Sequence, residues 1–204
     1  MNKYSTKQLL QILKNDIHST VVATVSEDLK PETRTIDIML ADEETIYFIT
    51  ARGKKFYERL ISQRYIALSG VKNNVSISIR GEVELAPKKL LEDVFEENPY
   101  MKDIYPPHTV DILEVFCIKN GQGEYFDLNE RPIYRQTFSI GNIRNSSTEY
   151  RINKNCVKCN KCVENCPTSC IETKEIYEIN QNKCLHCGIC KEVCEFDAVN
   201  IINE

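Results

Sequence analysis

NCVKCNKCVENCPTSC, residues 155–170, puts five cysteines into sixteen positions. Fourteen residues further on a second run begins. Cys156-x2-Cys159-x2-Cys162-x3-Cys166 is matched by Cys184-x2-Cys187-x2-Cys190-x3-Cys194, an internal repeat with a period of 28 residues. Two CxxC pairs can form a tetrahedral zinc thiolate site. Three cysteines at two-residue gaps instead wrap a compact loop around one cube-shaped cluster and leave a distant fourth cysteine to close it. A zinc ribbon would also separate its pairs by a longer stretch. The spacing therefore predicts 4Fe–4S clusters.

The rest of the composition agrees with a redox module rather than a disulfide scaffold. Nine of the ten cysteines lie in the last fifty residues, and the start MNKYSTKQLLQILKND is too polar for a secretory leader. No apolar run approaches the ~20 residues of a membrane span. Hydrophobic residues make up 42% and charged residues 27%, a core-forming balance, and the net charge of −4 gives no reason to expect nucleic acid or an anionic membrane as partner. The expectation is a cytoplasmic protein with one ordinary domain and a small appended module.

Ahead of the cysteines, the hydrophobic period is mostly two. Ser5 and Gln8 have capping-box spacing for a helix over 5–15, with Leu9, Leu10, Ile12 and Leu13 on its apolar face. Strands follow at 21–25, 33–40 and 45–50, separated by the turns DLKPE and ADEE, and 54–62 reads as a helix. Further strands are predicted at 66–71 and 75–85. The second alternates Val75, Ile77 and Ile79 with Ser76, Ser78 and Arg80. Pro87 is expected to open a helix through LLEDVFEEN, and Asn120-Gly121-Gln122-Gly123 to turn a hairpin between 111–119 and 124–128. About six antiparallel strands with few helices predict a small closed β-barrel. Residues 129–151, including the loop material Gly141-Asn142 and 145–148, are expected to connect a domain over 1–128 to a cluster domain over 152–204.

The cysteine module resembles the bacterial two-cluster ferredoxins, with their C-x2-C-x2-C-x3-C-P run, over residues 152–202. The resemblance implies a small α+β fold and crossed ligation. Cys156, Cys159 and Cys162 would hold one cluster with Cys194, and Cys184, Cys187 and Cys190 the other with Cys166. The second run ends Cys194-Glu195 where the family has proline, which alters a turn but leaves the thiolate. Cys170 aligns with Ala198 and reads as a small buried residue, with a ninth ligand or reactive thiol as the alternative. Cys117 reads as buried, and His186, between ligands, as a surface residue.

Clusters that carry single electrons at about −400 mV, joined to another domain, suggest a flavin there as adaptor to two-electron chemistry. No GxGxxG or P-loop supplies a nucleotide site. Thr50-Ala51-Arg52-Gly53-Lys54-Lys55, between a strand and a helix, offers N–H groups, a hydroxyl and cations suited to a phosphate. VVATVSEDLKPETRTIDIMLADEETIYFITARGKKFYERL, residues 21–60, resembles the pyridoxamine 5′-phosphate oxidase-like FMN-binding split barrels. The resemblance extends over about residues 5–128. It implies a mainly β split barrel with flanking helices, with Arg34, Thr35, Ile36 and Asp37 lining the flavin. Thr50, Lys54 and Lys55 would meet the FMN phosphate, Ser76 would take a neighbouring polar position, and a homodimer would share the site. The chain has no tryptophan and lacks the substrate-gripping R-x-x-x-x-W-like segment of the B6 oxidases, so oxidation of pyridoxine phosphate is not expected.

The function expected is an FMN- and iron–sulfur-dependent oxidoreductase. It would pass electrons between an external donor, two 4Fe–4S clusters, FMN and a small acceptor, with a redox protein or small molecule as partner. A non-catalytic electron carrier or redox sensor, and a nitroimidazole-reductase-like flavoprotein, are the alternatives. No acid or base marks itself as catalytic: His18 and His108 read as isolated, and Tyr100 and Tyr105 as packing residues that could cover a flavin.

Overall fold

A computed structural model describes residues 2–143 and 149–202. The expected loop at 145–148 lies outside the described residues. The chain divides into two compact units, Met1–Tyr125 with Phe138–Ile143, and Phe126–Thr137 with Arg144–Glu204.

The first unit opens with α1 (Thr6–Gln11), closed by the expected capping box: Ser5 N–H donates to Gln8 Oε1 at 2.8 Å and Gln8 N–H to Ser5 Oγ at 3.3 Å. The helix widens into a π-helical turn (Ile12–Ile17), which places Leu9, Leu10, Leu13 and Ile17 in the core. The strands are β1 (Ser19–Val25), β2 (Pro31–Asp37), β3 (Leu40–Ala41), β4 (Ile46–Ala51), β5 (Tyr65–Lys72), β6 (Val75–Leu85), β7 (Leu113–Asp127) and β8 (Tyr134–Ile140). They form one sheet in the order β2-β1-β5-β6-β7-β4-β3, with β8 on β7. The path is open between β2 and β3, so the barrel is split rather than closed by hydrogen bonds, correcting the closed barrel expected. The expected 33–40 strand breaks at Ile38-Met39, letting β2 pair with β1 and β3 with β4. Buried Asn98 pins the break by donating from Nδ2 to Met39 O at 2.9 Å.

Further helices flank the sheet: α2 (Lys55–Gln63), α3 (Leu90–Glu97), α4 (Met101–Ile104) and a 3-10 helix over Pro107–Ile112. Pro87 lies ahead of α3 instead of inside its first turn. On α2, Phe56 and Leu60, at i and i+4, are buried against the barrel. Phe48, Phe56 and Phe116 form an aromatic core with centroids 6.4 and 5.8 Å from Phe48. A second core, including Ile49, Leu91, Val94, Met101, Val115 and Cys117, fills the other face of β4 and β7.

The expected hairpin at 120–123 does not form, because β7 runs through it as one 15-residue strand. Its glycines serve a close crossing. A Cβ on Gly81 would stand 2.3 Å from Asn120 O and 2.7 Å from Gly121 Cα, and one on Gly123 2.1 Å from the Phe138 ring. The expected connection over 129–151 likewise contains β8 and the start of β9 (Glu149–Ile152).

The second unit holds β9, α5 (Lys161–Glu164), β10 (Ile171–Glu172), β11 (Glu178–Ile179), α6 (Ile189–Glu192) and β12 (Val199–Ile202). β9 pairs antiparallel with β12, and β10 with β11. Its small core consists of Tyr150, Ile171, Tyr177, Ile179 and Val199 together with cysteines. Among the described residues no helix is long and apolar enough to cross a membrane.

Candidate redox sites

The repeat in sequence is a repeat in backbone. Lys158, Asn160 and Ser169 take positive φ values of 58, 66 and 49°, and their counterparts 28 residues on, His186, Gly188 and Asp197, take 52, 81 and 47°. Left-handed residues alternating with right-handed ones turn successive N–H groups towards one concavity, which suits an anionic cluster. Short helices α5 and α6 then carry the third cysteine of each run, Cys162 and Cys190, into the interior.

Two cavities result. One is lined by Cys156, Cys159, Cys162 and Cys194, with Ile152, Tyr177 and Val199 behind them. The other is lined by Cys184, Cys187, Cys190 and Cys166, with Ile171 and Ile179. Each therefore gathers three cysteines of one run and the last of the other. Backbone donors already aim at the sulfurs: Ala198 N–H at Cys194 Sγ (3.4 Å), Cys170 N–H at Cys166 Sγ (3.4 Å) and His186 N–H at Cys184 Sγ (3.3 Å). Four thiols, inward N–H groups and an apolar back wall fit a 4Fe–4S cluster in both cavities. His186 shares the backbone conformation of Lys158, and its ring stacks on Tyr150 at 6.2 Å between centroids. Cys170 is 3% exposed and lines the second cavity beside its cysteines.

In the first unit, the expected flavin contacts fall into two groups. Register pairs Arg34 with Val22 and Ile36 with Thr20, both buried, so these two side chains share the core face of β2. Thr35 and Asp37 pair with Val21 and Ser19 on the outer face. Arg34 lies with its guanidinium carbon 4.4 Å from the centroid of Phe56, in the first turn of α2. This brings it to the 50–55 turn. Its Nε is buried with no hydrogen-bond partner among the described residues, and burial, then the Arg59 cation, lower its pKa. Thr50 Oγ1, at the end of the Ile46-Phe48-Thr50 row, is equally buried and unpartnered. The turn itself is exposed. Arg52 pairs with Glu114 at 2.5 Å, whereas Lys54 and Lys55 make no ion pair among the described residues. Lys54 is the N-cap of α2 yet supplies no side-chain acceptor to the helix N–H groups. Ser76 lies on β6, three strands from β2 in one direction along the sheet and two from β4 in the other.

One cluster escaped the sequence reading. His18, at φ 65° and ψ −63°, places Nε2 3.0 Å from Tyr100 Oη and 3.7 Å from Asp37 Oδ2. Tyr100 donates to Asp37 Oδ2 at 3.0 Å, and Ser19 to Oδ1 at 2.5 Å. Burial first, then the hydrogen bond and charge of Asp37, push the Tyr100 phenol up to about 12. His18 is therefore not isolated. Nothing local signals the cluster, since it joins positions 18, 37 and 100.

Residues 5–120 match the pyridoxamine 5′-phosphate oxidase family, more than half of the chain. The chain belongs to that family. Residues 155–198 match the 4Fe-4S dicluster domain. Among curated proteins, a ferredoxin of Rickettsia felis is 40% identical over 53 residues, 24% of this chain and 49% of that protein. The NADH-quinone oxidoreductase subunit I of Pelobacter propionicus is 33% identical over 60 residues, 22% of this chain and 32% of that one. The chain thus spans half or less of the length of these two relatives. Among solved structures, a nimC/nimA family protein of Clostridium acetobutylicum superposes with a TM-score of 0.57 at 22% identity, covering 67% of this chain and 95% of that one. A general stress protein 26-related protein of the same organism gives 0.51 at 19%, covering 66% and 96%. These two share the fold. The oxidase-family protein with a dicluster domain has the parts of an iron–sulfur redox protein.

Proposed function

We propose that the chain is an oxidoreductase in which FMN in the split barrel exchanges electrons with two 4Fe–4S clusters, an external donor and a small acceptor. The observation that carries the flavin is the start of α2. Two cations with no ion pair among the described residues sit at the N-terminus of α2, where no side chain caps the helix N–H groups and Glu58 is the one carboxylate of the first turn, so this end suits a further anion. A bound FMN would supply hydride or single-electron chemistry. Lys54, Lys55 and the first N–H groups of α2 hold its phosphate, Arg34 and the β2 backbone meet its ring system, and Phe56 keeps Arg34 in place. The eight cysteines of the two cavities hold the clusters.

A homodimer fits this reading. The outer face of β1 and β5 exposes Val21 (50%), Tyr65 (50%) and Val71 (71%) beside small residues, and Ser76 lies on the adjoining strand. A second copy on this face covers them and lets Ser76 serve the site of the partner subunit. The test is acid extraction of anaerobically purified protein together with an iron count. One fluorescent flavin and about eight irons per chain are expected, and protein that neither contains nor takes up flavin overturns the flavin mechanism. Steady turnover with an acceptor separates an enzyme from a carrier, which shows only reversible bleaching.

A further inference from the structure

The two cavities are near copies, and they differ at the sulfur that each run contributes to the other. Cys194 Sγ accepts a hydrogen bond from Ala198 N–H at 3.4 Å. Cys166 Sγ accepts the matching bond from Cys170 N–H at 3.4 Å, and also has Cys170 Sγ at 3.5 Å and Thr168 Oγ1 at 3.7 Å. The positions that match Cys170 and Thr168 in the other half are Ala198 and Phe196, whose side chains have nothing to donate. A cysteine that ligates iron has lost its proton, so the hydrogen between Cys166 and Cys170 belongs to Cys170, whose other sulfur neighbour, Cys184, is a ligand of the same cavity. Cys170 and Thr168 are 3% and 5% exposed, so water does not compete for these donors.

We propose that Cys170, with Thr168, donates hydrogen bonds to the Cys166 sulfur and thereby holds the cluster of Cys184, Cys187, Cys190 and Cys166 at the higher reduction potential of the two. The proposal rests on the cluster reading above. Reduction adds one electron to the cluster and moves no proton. The added negative charge spreads onto the thiolate sulfurs, so each donor binds the reduced form more strongly than the oxidised one. Nearby formal charge does not reverse the order. Of the residues that line the two cavities one is charged, Lys161 at the first, and its ion pair with Glu195 offsets that charge. An electron entering the module comes to rest on the second cluster.

The test is a redox titration of the full chain with its clusters, followed by electron paramagnetic resonance, on wild type, C170A, C170S and T168V. Alanine occupies the matching position 198, so C170A suits this backbone. Wild type shows two one-electron transitions. In C170A the higher one falls by about threefold to tenfold in equilibrium constant, about 30–60 mV at 59 mV per tenfold, while the lower one stays. T168V shifts it the same way, and C170S, which keeps a donor, holds it near wild type. Intact clusters with both transitions unmoved in C170A, or with only the lower one moved, overturn the proposal alone. Wild-type protein that takes up no clusters overturns the cluster reading, and the proposal with it.

Discussion

Replacing both lysines at the start of α2 with glutamine (K54Q/K55Q) moves two quantities in opposite directions. In flavin-free protein the lysines face the positive end of a nine-residue helix that has no side-chain cap, with Glu58 as the one acidic residue in its first turn. Neutralising them relieves about 0.3–1 kcal/mol of charge–dipole repulsion, so the melting temperature holds or rises by about 1–3 °C. Affinity for FMN goes the other way. Charge-assisted contacts to a phosphate are worth about 1.5 kcal/mol each after allowing for their exposure, so losing two weakens FMN binding on the order of 100-fold. Quenching of flavin fluorescence on titration into flavin-free protein measures this, and riboflavin, which lacks the phosphate, is the control. Wild type prefers FMN over riboflavin, and the variant loses that preference while its affinity for riboflavin stays. FMN affinity within threefold of wild type would mean that the lysines are only a solvated helix start.

Three further outcomes follow from the same geometry. Thr50→Val removes a buried hydroxyl that has no hydrogen-bond partner among the described residues and keeps the side-chain shape, so it stabilises flavin-free protein by about 1 kcal/mol, measured by urea unfolding. Burial raises the Cys117 thiol from 9.0 to about 11. The raised folded value means that its contribution is complete below pH 9 and is lost as pH rises through 11, an effect of about 2 kcal/mol. The slope of unfolding free energy against pH in that window should flatten in C117A. Because the second unit has a small core built partly of cysteines, stripping its iron unfolds it while the first unit keeps its melting transition. A single transition lost as a whole would contradict this.

Where a structural signal is short in range and strong, the sequence carries it. The Ser5–Gln8 capping box, the alternation of β6 and the cysteine spacing within each run each depend on neighbours within a few positions. The same local reasoning failed at Asn120-Gly121-Gln122-Gly123. Those residues have good turn chemistry, but Gly81 and Phe138, far away in sequence, need the room that the glycines leave. The break at Ile38-Met39 is equally non-local, because Asn98 holds it.

The candidate sites divide in the same way. The grouping of cysteines that lines the two cavities was legible from the sequence, since the spacing of metal ligands is a constraint within one loop. The sequence also singled out the basic turn at 50–55 as phosphate-binding material. Only the tertiary structure decided that Arg34 turns inward onto Phe56 and that His18 meets Tyr100 and Asp37. It also decided that Cys170, paired by the repeat with an alanine, lies 3.5 Å from the sulfur of Cys166. The physical reason is that spacing along a chain fixes which groups share a loop, whereas packing fixes which groups from distant segments exclude water together.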